Sequence, residues 1–283
     1  FRGGIYRLPA GQSVAGCVRL ESVMMTLGTH IATPVVNICG DTSDLAIRAA
    51  DLVIQAAREA IAQRGRFTFV LSGGSTPERT YALLGQADRA SAIDWAHVYI
   101  FFGDERFVPA SDSRSNYGMA RRNLLERVPI PRSNVFPMPS EALNAAEAAA
   151  AYAQQLAEFF SMSDRTTPPR FDLIFLGMGR DGHTASLFPF SDALEVTDAW
   201  ATWTSPGILP PPVDRITLTY PVLNAARQVV FLVSGKDKAV ALRDVLQGQA
   251  PREDRPASGV QPADGALIWL IDNQAARLLT QRN

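Results

Sequence analysis

Five short apolar runs, each ending at a glycine, a serine or an aspartate, set the strongest limit on how this chain folds. Phe67-Thr68-Phe69-Val70-Leu71 leads into Ser72-Gly73-Gly74, and Val98-Tyr99-Ile100-Phe101-Phe102 leads into Gly103-Asp104-Glu105-Arg106. Asp172-Leu173-Ile174-Phe175-Leu176 leads into Gly177-Met178-Gly179, and Val229-Val230-Phe231-Leu232-Val233 into Ser234-Gly235. Leu267-Ile268-Trp269-Leu270-Ile271 stops at Asp272. The apolarity is continuous rather than alternating, so these strands are buried on both faces, which is the pattern of a parallel sheet.

Parallel neighbours need crossover connections, and helical patterns fill the gaps. Residues 42–64 carry apolar positions at helical spacing, with Asp41, Thr42 or Ser43 as candidate caps. Residues 145–160, rich in Ala and Glu, predict a surface helix, and 236–246 a helix directly after the fourth strand. Strand alternating with helix predicts a three-layer α/β/α sandwich around a mostly parallel, Rossmann-like sheet. Residues 163–170 and 205–214, the latter with Pro210-Pro211-Pro212, read as a loop and a stiff connector. Residues 251–264 read as a mobile surface loop. None of these divides the chain, so a single domain over 25–283 is expected. Residues 1–24 show no periodicity, and Arg19 and Glu21 interrupt any signal-like apolar stretch. They read as a disordered or artificially added leader, with Met24 or Met25 as candidate starts.

The bulk numbers remove several function classes. Basic residues number 27 and acidic residues 28, a formal net charge of -1, so no global field recruits nucleic acid or an anionic membrane. An anionic ligand must therefore be held by a local site. No apolar run approaches the roughly 20 residues of a membrane span. Cys17 and Cys39 form no disulfide framework and no metal spacing, which points to reduced thiols and a cytoplasmic protein. Neither a metal ligand set nor a nucleotide fingerprint is present, so the expectation is no metal and no cofactor.

In open α/β sheets ligands bind outside the carboxyl ends of the strands, and the unusual residues of this chain sit there. Ser72-Gly73-Gly74-Ser75-Thr76-Pro77 offers close backbone approach, hydroxyl and amide donors, and a proline suited to a first helical turn. An ordinary strand-to-helix turn would read much the same. At Gly103-Asp104-Glu105-Arg106, either a solvated corner forms or Arg106 presents a fork to an anion. Asp112, Ser115 and Asn116 follow as further polar candidates.

Of three histidines, His30 lies in the leader region and His97 just before a strand; only His183 stands in a glycine-rich loop after a buried strand. Imidazole suits proton transfer near neutral pH, and Asp181 is placed to fix its tautomer. The only two lysines, against 25 arginines, are Lys236 and Lys238, where a compact ammonium would suit phosphate. The sequence leaves open which of them does so.

The motifs taken together resemble those of the 6-phosphogluconolactonases. The resemblance is carried by Ser72-Gly73-Gly74-Ser75-Thr76-Pro77, by Gly103-Asp104-Glu105-Arg106 with Val108-Pro109 and Ser115-Asn116, and most specifically by Gly177-Met178-Gly179-Arg180-Asp181-Gly182-His183-Thr184-Ala185-Ser186-Leu187-Phe188-Pro189. Arg215-Ile216-Thr217 and Gly235-Lys236-Asp237-Lys238 continue it, over residues 44–279. It implies hydrolysis of 6-phospho-D-glucono-1,5-lactone to 6-phospho-D-gluconate in the oxidative pentose phosphate pathway, without metal or cofactor. It implies His183 as catalytic acid/base supported by Asp181. Ser72, Gly73, Gly74, Ser75, Thr76, Asp104, Arg106, Asn116, Gly179, Arg215 and Lys238 become the expected substrate contacts. The expected partner is the small sugar phosphate alone, and the protein is a monomer or homodimer.

Two rivals share that fold. Glucosamine-6-phosphate deaminases typically carry an aromatic after the acidic pair and an Ala-Phe-Asn-Glu type run after the histidine. Arg106 and the 184–189 segment stand there instead. A sugar-phosphate-sensing regulator would need a DNA-binding pair of helices, which residues 1–40 do not suggest.

Overall fold

The computed structural model describes residues 18–21, by backbone only, together with 33–164, 166–205 and 212–280. Six parallel strands form the central sheet: β2 (Val35–Cys39), β3 (Phe67–Leu71), β4 (Val98–Phe102), β6 (Leu173–Leu176), β9 (Gln228–Val233) and β10 (Ala266–Asp272), in the spatial order β2-β10-β9-β6-β3-β4. Strand β1 (Val18–Glu21) adds an antiparallel edge to β2, so this piece of the expected leader is a strand; residues 1–17 and 22–24 lie outside the described residues. A second sheet of three short antiparallel strands, in the order β5-β8-β7, comprises β5 (Asp104–Arg106), β7 (Ala201–Thr204) and β8 (Arg215–Leu218). Gly103 joins the two sheets: its N–H donates to Leu71 O and its carbonyl accepts from Leu218 N.

The middle of the sheet is buried end to end, as its unbroken apolarity requires: every residue of β3 and β6 is buried. Helix α1 (Thr42–Arg64) begins at Asp41, whose carboxylate accepts from Ser43 N and Asp44 N, and ends at Gly65 in the left-handed conformation. It packs on α2 (Ser75–Leu84), followed by the short α3 (Ala87–Ala90). Helix α4 (Asn116–Ala120) is capped by Ser115. Helix α5 (Ala145–Phe159) covers the junction of the two sheets, and its Tyr152 hydroxyl bonds both the N–H and the carbonyl of Phe102. Helices α6 (Tyr220–Ala225), α7 (Ala239–Leu246) and α8 (Asn273–Ala276) complete the layers of one α/β/α domain. Among the core pairs, Phe231 and Trp269 stack 3.9 Å apart on neighbouring strands.

Two expectations change, and a third falls outside the described residues. The helix from 236 starts with a 3₁₀ turn, Lys236–Lys238, before α7. Segment 205–214 lies largely outside the described residues. Segment 251–264 is docked rather than a mobile loop. Pro256, Ala257 and Val260 are buried, Ala257 N donates to Gly182 O at 2.9 Å, and Pro256 O accepts from the Tyr220 hydroxyl at 2.7 Å. No helix among the described residues is long and apolar enough to cross a membrane.

Candidate active site

From β3 the chain steps outward to β4, then returns to the other side of β3 for β6. A crevice opens where strand order reverses in this way, at the carboxyl ends of the strands. Here it is a cavity of about 300 Å³. Ser72, Gly73, Gly74, Ser75, Thr76, Asp104, Arg106, Asn116, Gly179, His183, Arg215 and Lys238 all line it. They come from the loops and helix starts beyond the central strands and from the small sheet, and the largest sequence gap among them is 166 residues, between Ser72 and Lys238.

The loop after β3 is anchored from beneath. The buried Tyr81 hydroxyl accepts from Ser72 N and donates to Ser72 O. Burial pushes this phenol far up, so it stays protonated and serves both roles. A Cβ on Gly73 would fall 2.0 Å from the Asn116 side-chain oxygen, so the bare glycine face admits that carboxamide. The close approach expected for a ligand is thus used by a neighbouring side chain. Gly74 precedes α2, and no side chain caps that helix, which leaves its first-turn N–H groups toward the cavity. Thr76 Oγ1 and Ser234 Oγ lie 2.8 Å apart and tie this turn to the end of β9.

Glu105 organises the second wall. Its carboxylate accepts from Arg106 N, Ser115 Oγ, Asn116 N and Tyr117 N. Burial pushes its pKa up, and the backbone donors only partly offset this. The neighbouring Asp104, also buried, accepts from Ser186 Oγ at 2.8 Å and from Asn116 Nδ2. Arg106 and Arg215 face each other across β5 and β8. Like charges directly opposite each other are unfavourable, and Arg106 Nε is buried with no hydrogen-bond partner among the described residues. Burial and then the Arg106 charge push the Arg215 pKa down. An anion between these guanidiniums would relieve both costs.

The third wall is the His183 loop. His183 Nδ1 lies 2.6 Å from Asp181 Oδ1, and Asp181 Oδ1 also accepts from His183 N. Burial raises the Asp181 carboxyl, but the bond to and charge of His183 outweigh it and hold the pKa below the ordinary value. With Nδ1 engaged, Nε2 is the nitrogen left for chemistry. The imidazole rests against Phe188, with ring centroids 4.8 Å apart.

At the fourth wall Lys238 is half-buried and lines the cavity, whereas Lys236 is exposed and does not. Asp237 sits 3.7 Å from the Lys238 ammonium and bonds Arg180 of the His183 loop at 2.7 Å, linking two rims of the cavity. Asp181 stands just behind the lining. His97, in contrast, is an exposed partner of Asp94. Sequence reading quoted Glu105, Ser186 and Ser234 within its motifs but gave none of them a role in the site. Among the described residues no cluster of His, Cys, Asp and Glu has the arrangement of a metal site.

The sequence profile of the family described as glucosamine-6-phosphate isomerases/6-phosphogluconolactonase matches residues 40–269. A 6-phosphogluconolactonase of Synechocystis is 41% identical over 246 residues, covering 87% of this chain and 98% of the relative. The human 6-phosphogluconolactonase is 40% identical over 254 residues, covering 88% and 95%. The solved 6-phosphogluconolactonase of Trypanosoma cruzi superposes with a TM-score of 0.79 at 29% identity, over 89% of this chain and 99% of that one. With its crevice, its loops and these relatives in agreement, the chain belongs to the glucosamine-6-phosphate isomerase/6-phosphogluconolactonase family, on the 6-phosphogluconolactonase side.

Proposed function

We propose that this protein hydrolyses 6-phospho-D-glucono-1,5-lactone to 6-phospho-D-gluconate, the ring-opening step of the oxidative pentose phosphate pathway, in the cytoplasm. The observation that carries the reading is the His183–Asp181 pair opening onto a cavity whose other walls hold Arg106, Arg215 and Lys238.

A lactone carbonyl is already electrophilic, so the reaction needs a water made nucleophilic, donors for the oxyanion, and a proton for the departing ring oxygen. His183 Nε2 takes a proton from the water as its oxygen bonds to C1. The imidazolium formed is held by Asp181, which fixes the tautomer and balances the charge. Collapse of the tetrahedral intermediate breaks the C1–ring oxygen bond, and His183 returns the proton to that oxygen, leaving a carboxylic acid that ionises in water. No covalent intermediate, metal or cofactor is required. Arg106 and Arg215 face the charge that develops at C1. Lys238, the 72–76 loop and the amide end of α2 hold the phosphate.

A turnover assay with three substrates tests this, after subtraction of spontaneous lactone opening. Rapid acid release from the phosphorylated lactone, slow release from unphosphorylated gluconolactone, and no ammonia from glucosamine-6-phosphate are expected. Ammonia release, or lactone opening no faster than the buffer blank, would overturn the reading.

A further inference from the structure

The strands that carry the active site at their carboxyl ends carry a second cavity at their amino ends. It measures about 360 Å³ and gathers Arg64, Arg66, Arg170 and Arg227 around the starts of β3, β6 and β9. With strands of four to six residues rising about 3.3 Å each, the two cavities stand roughly 15–20 Å apart.

The charges here do not balance. Asp172 is buried and half committed to β3: its Oδ2 accepts from Thr68 N and Thr68 Oγ1, both at 2.8 Å. Only Oδ1 is left for Arg64 at 2.9 Å and Arg227 at 3.4 Å. Arg170 meets Asp264 at the exposed rim, yet its Nε is buried without a hydrogen-bond partner among the described residues. Arg66 makes no ion pair among the described residues and lies over the rings of Phe159 and Phe160, 5.0 and 5.5 Å from their centres. Four guanidiniums less the two carboxylates Asp172 and Asp264 leave two positive charges. Burial, followed by the charges of Arg64 and Arg170, also disfavours the ionised form of Arg227.

We propose that this cavity binds a phosphomonoester dianion carried on a flat or apolar body, the chemistry of a nucleoside monophosphate. Two charges answer two charges, and guanidinium forks match phosphate oxygens bidentately. Beside Thr68 and Thr167, the wall also holds Phe160, Met162 and Pro168, apolar surface that a bare phosphate would leave uncovered.

Calorimetric titration of the full chain with AMP, inorganic phosphate and adenosine tests the site. AMP is expected to bind at least about ten-fold more tightly than either fragment, a difference of about 1.4 kcal/mol. The double variant Arg66→Gln/Arg170→Gln removes the surplus charge without touching the Asp172 contacts, and AMP binding should weaken by at least about ten-fold. Thr167→Glu, which puts a carboxylate at the exposed lip, should do the same and covers the event that the double variant fails to fold. Lys238→Ala, which alters the other cavity, should leave AMP binding unchanged. The proposal fails if AMP does not bind at millimolar concentration, or if binding is lost in Lys238→Ala but kept in Arg66→Gln/Arg170→Gln and Thr167→Glu. Inorganic phosphate binding as tightly as AMP would overturn the flat or apolar body.

Discussion

The proposed mechanism gives proton transfer and phosphate binding to different side chains, so single substitutions should separate them. His183→Ala is expected to lower kcat by on the order of 10²–10⁴-fold with the fold intact, the usual loss for one general acid/base. Asp181→Asn keeps a side chain of the same shape but removes the charge that holds the imidazolium. Its kcat should fall by about 10- to 100-fold, less than for His183→Ala. Lys238→Ala should instead raise KM by about one to two powers of ten, at ~1.4 kcal/mol each, with a smaller change in kcat. It should handle unphosphorylated gluconolactone almost as the wild type does; equal damage to both substrates in steady-state kinetics would remove Lys238 from the phosphate. His183 was legible in the sequence because it is the one histidine set among glycines after a buried strand. Lys238 was legible because lysine is rare here, although only the structure separates it from Lys236. The role of Ser234 was not legible, because its partner Thr76 lies 158 residues away.

At the level of elements, continuous apolar runs located five strands of the central sheet within a residue or so, and the helical spacing over 42–64 located α1, whose cap is the first of the three candidates, Asp41. Strand β2 was not read, because Asn37 interrupts its apolar run even though Gly40 follows it. The small sheet was not read either: β5 is the charged triplet Asp104-Glu105-Arg106, β7 mixes threonine with apolar residues, and β8 begins at Arg215, each over four positions or fewer. Their identity as strands comes from pairing across the chain, not from local pattern. Segment 251–264 misled for the same reason: its polar surface hides a buried turn that supports the histidine loop. Gly182 is the joint, with φ +83° and no room for a Cβ beside Arg255. Gly182→Ala is expected to cost about 1–3 kcal/mol in urea unfolding and to lower kcat through a displaced His183 loop. Unfolding and kcat both within error of wild type would show that the joint is not needed.

For the whole molecule, layer class and site location followed from the sequence, but strand order did not, since apolar runs do not say which neighbours they choose. The order observed puts β10, the last strand, between β2 and β9. Asp272 at its end accepts from Thr42 Oγ1 at the start of α1, from Gly235 N beside the Lys238 turn, and from Ala275 N. The run buries Leu267, Trp269, Leu270 and Ile271. At about 1.5–3 kcal/mol each, their loss amounts to roughly 6–12 kcal/mol, as much as a whole domain's net stability. A chain ended at residue 262 should therefore show no cooperative melt by circular dichroism and no lactone turnover; a cooperative melt would mean that β2 and β9 can close without it.

That same placement governs how the protein is made. During synthesis every residue of the proposed lactone site leaves the ribosome before the strand that joins the first part of the sheet to the rest. Until β10 arrives, the facing edges of β2 and β9 present open hydrogen-bonding groups and apolar side chains, the surface on which chains aggregate. The β10 stretch thus acts as the closing stave of the barrel-maker's trade, and a ribosome stalled just short of it would hold a chain with every group of the proposed site and no fold to align them.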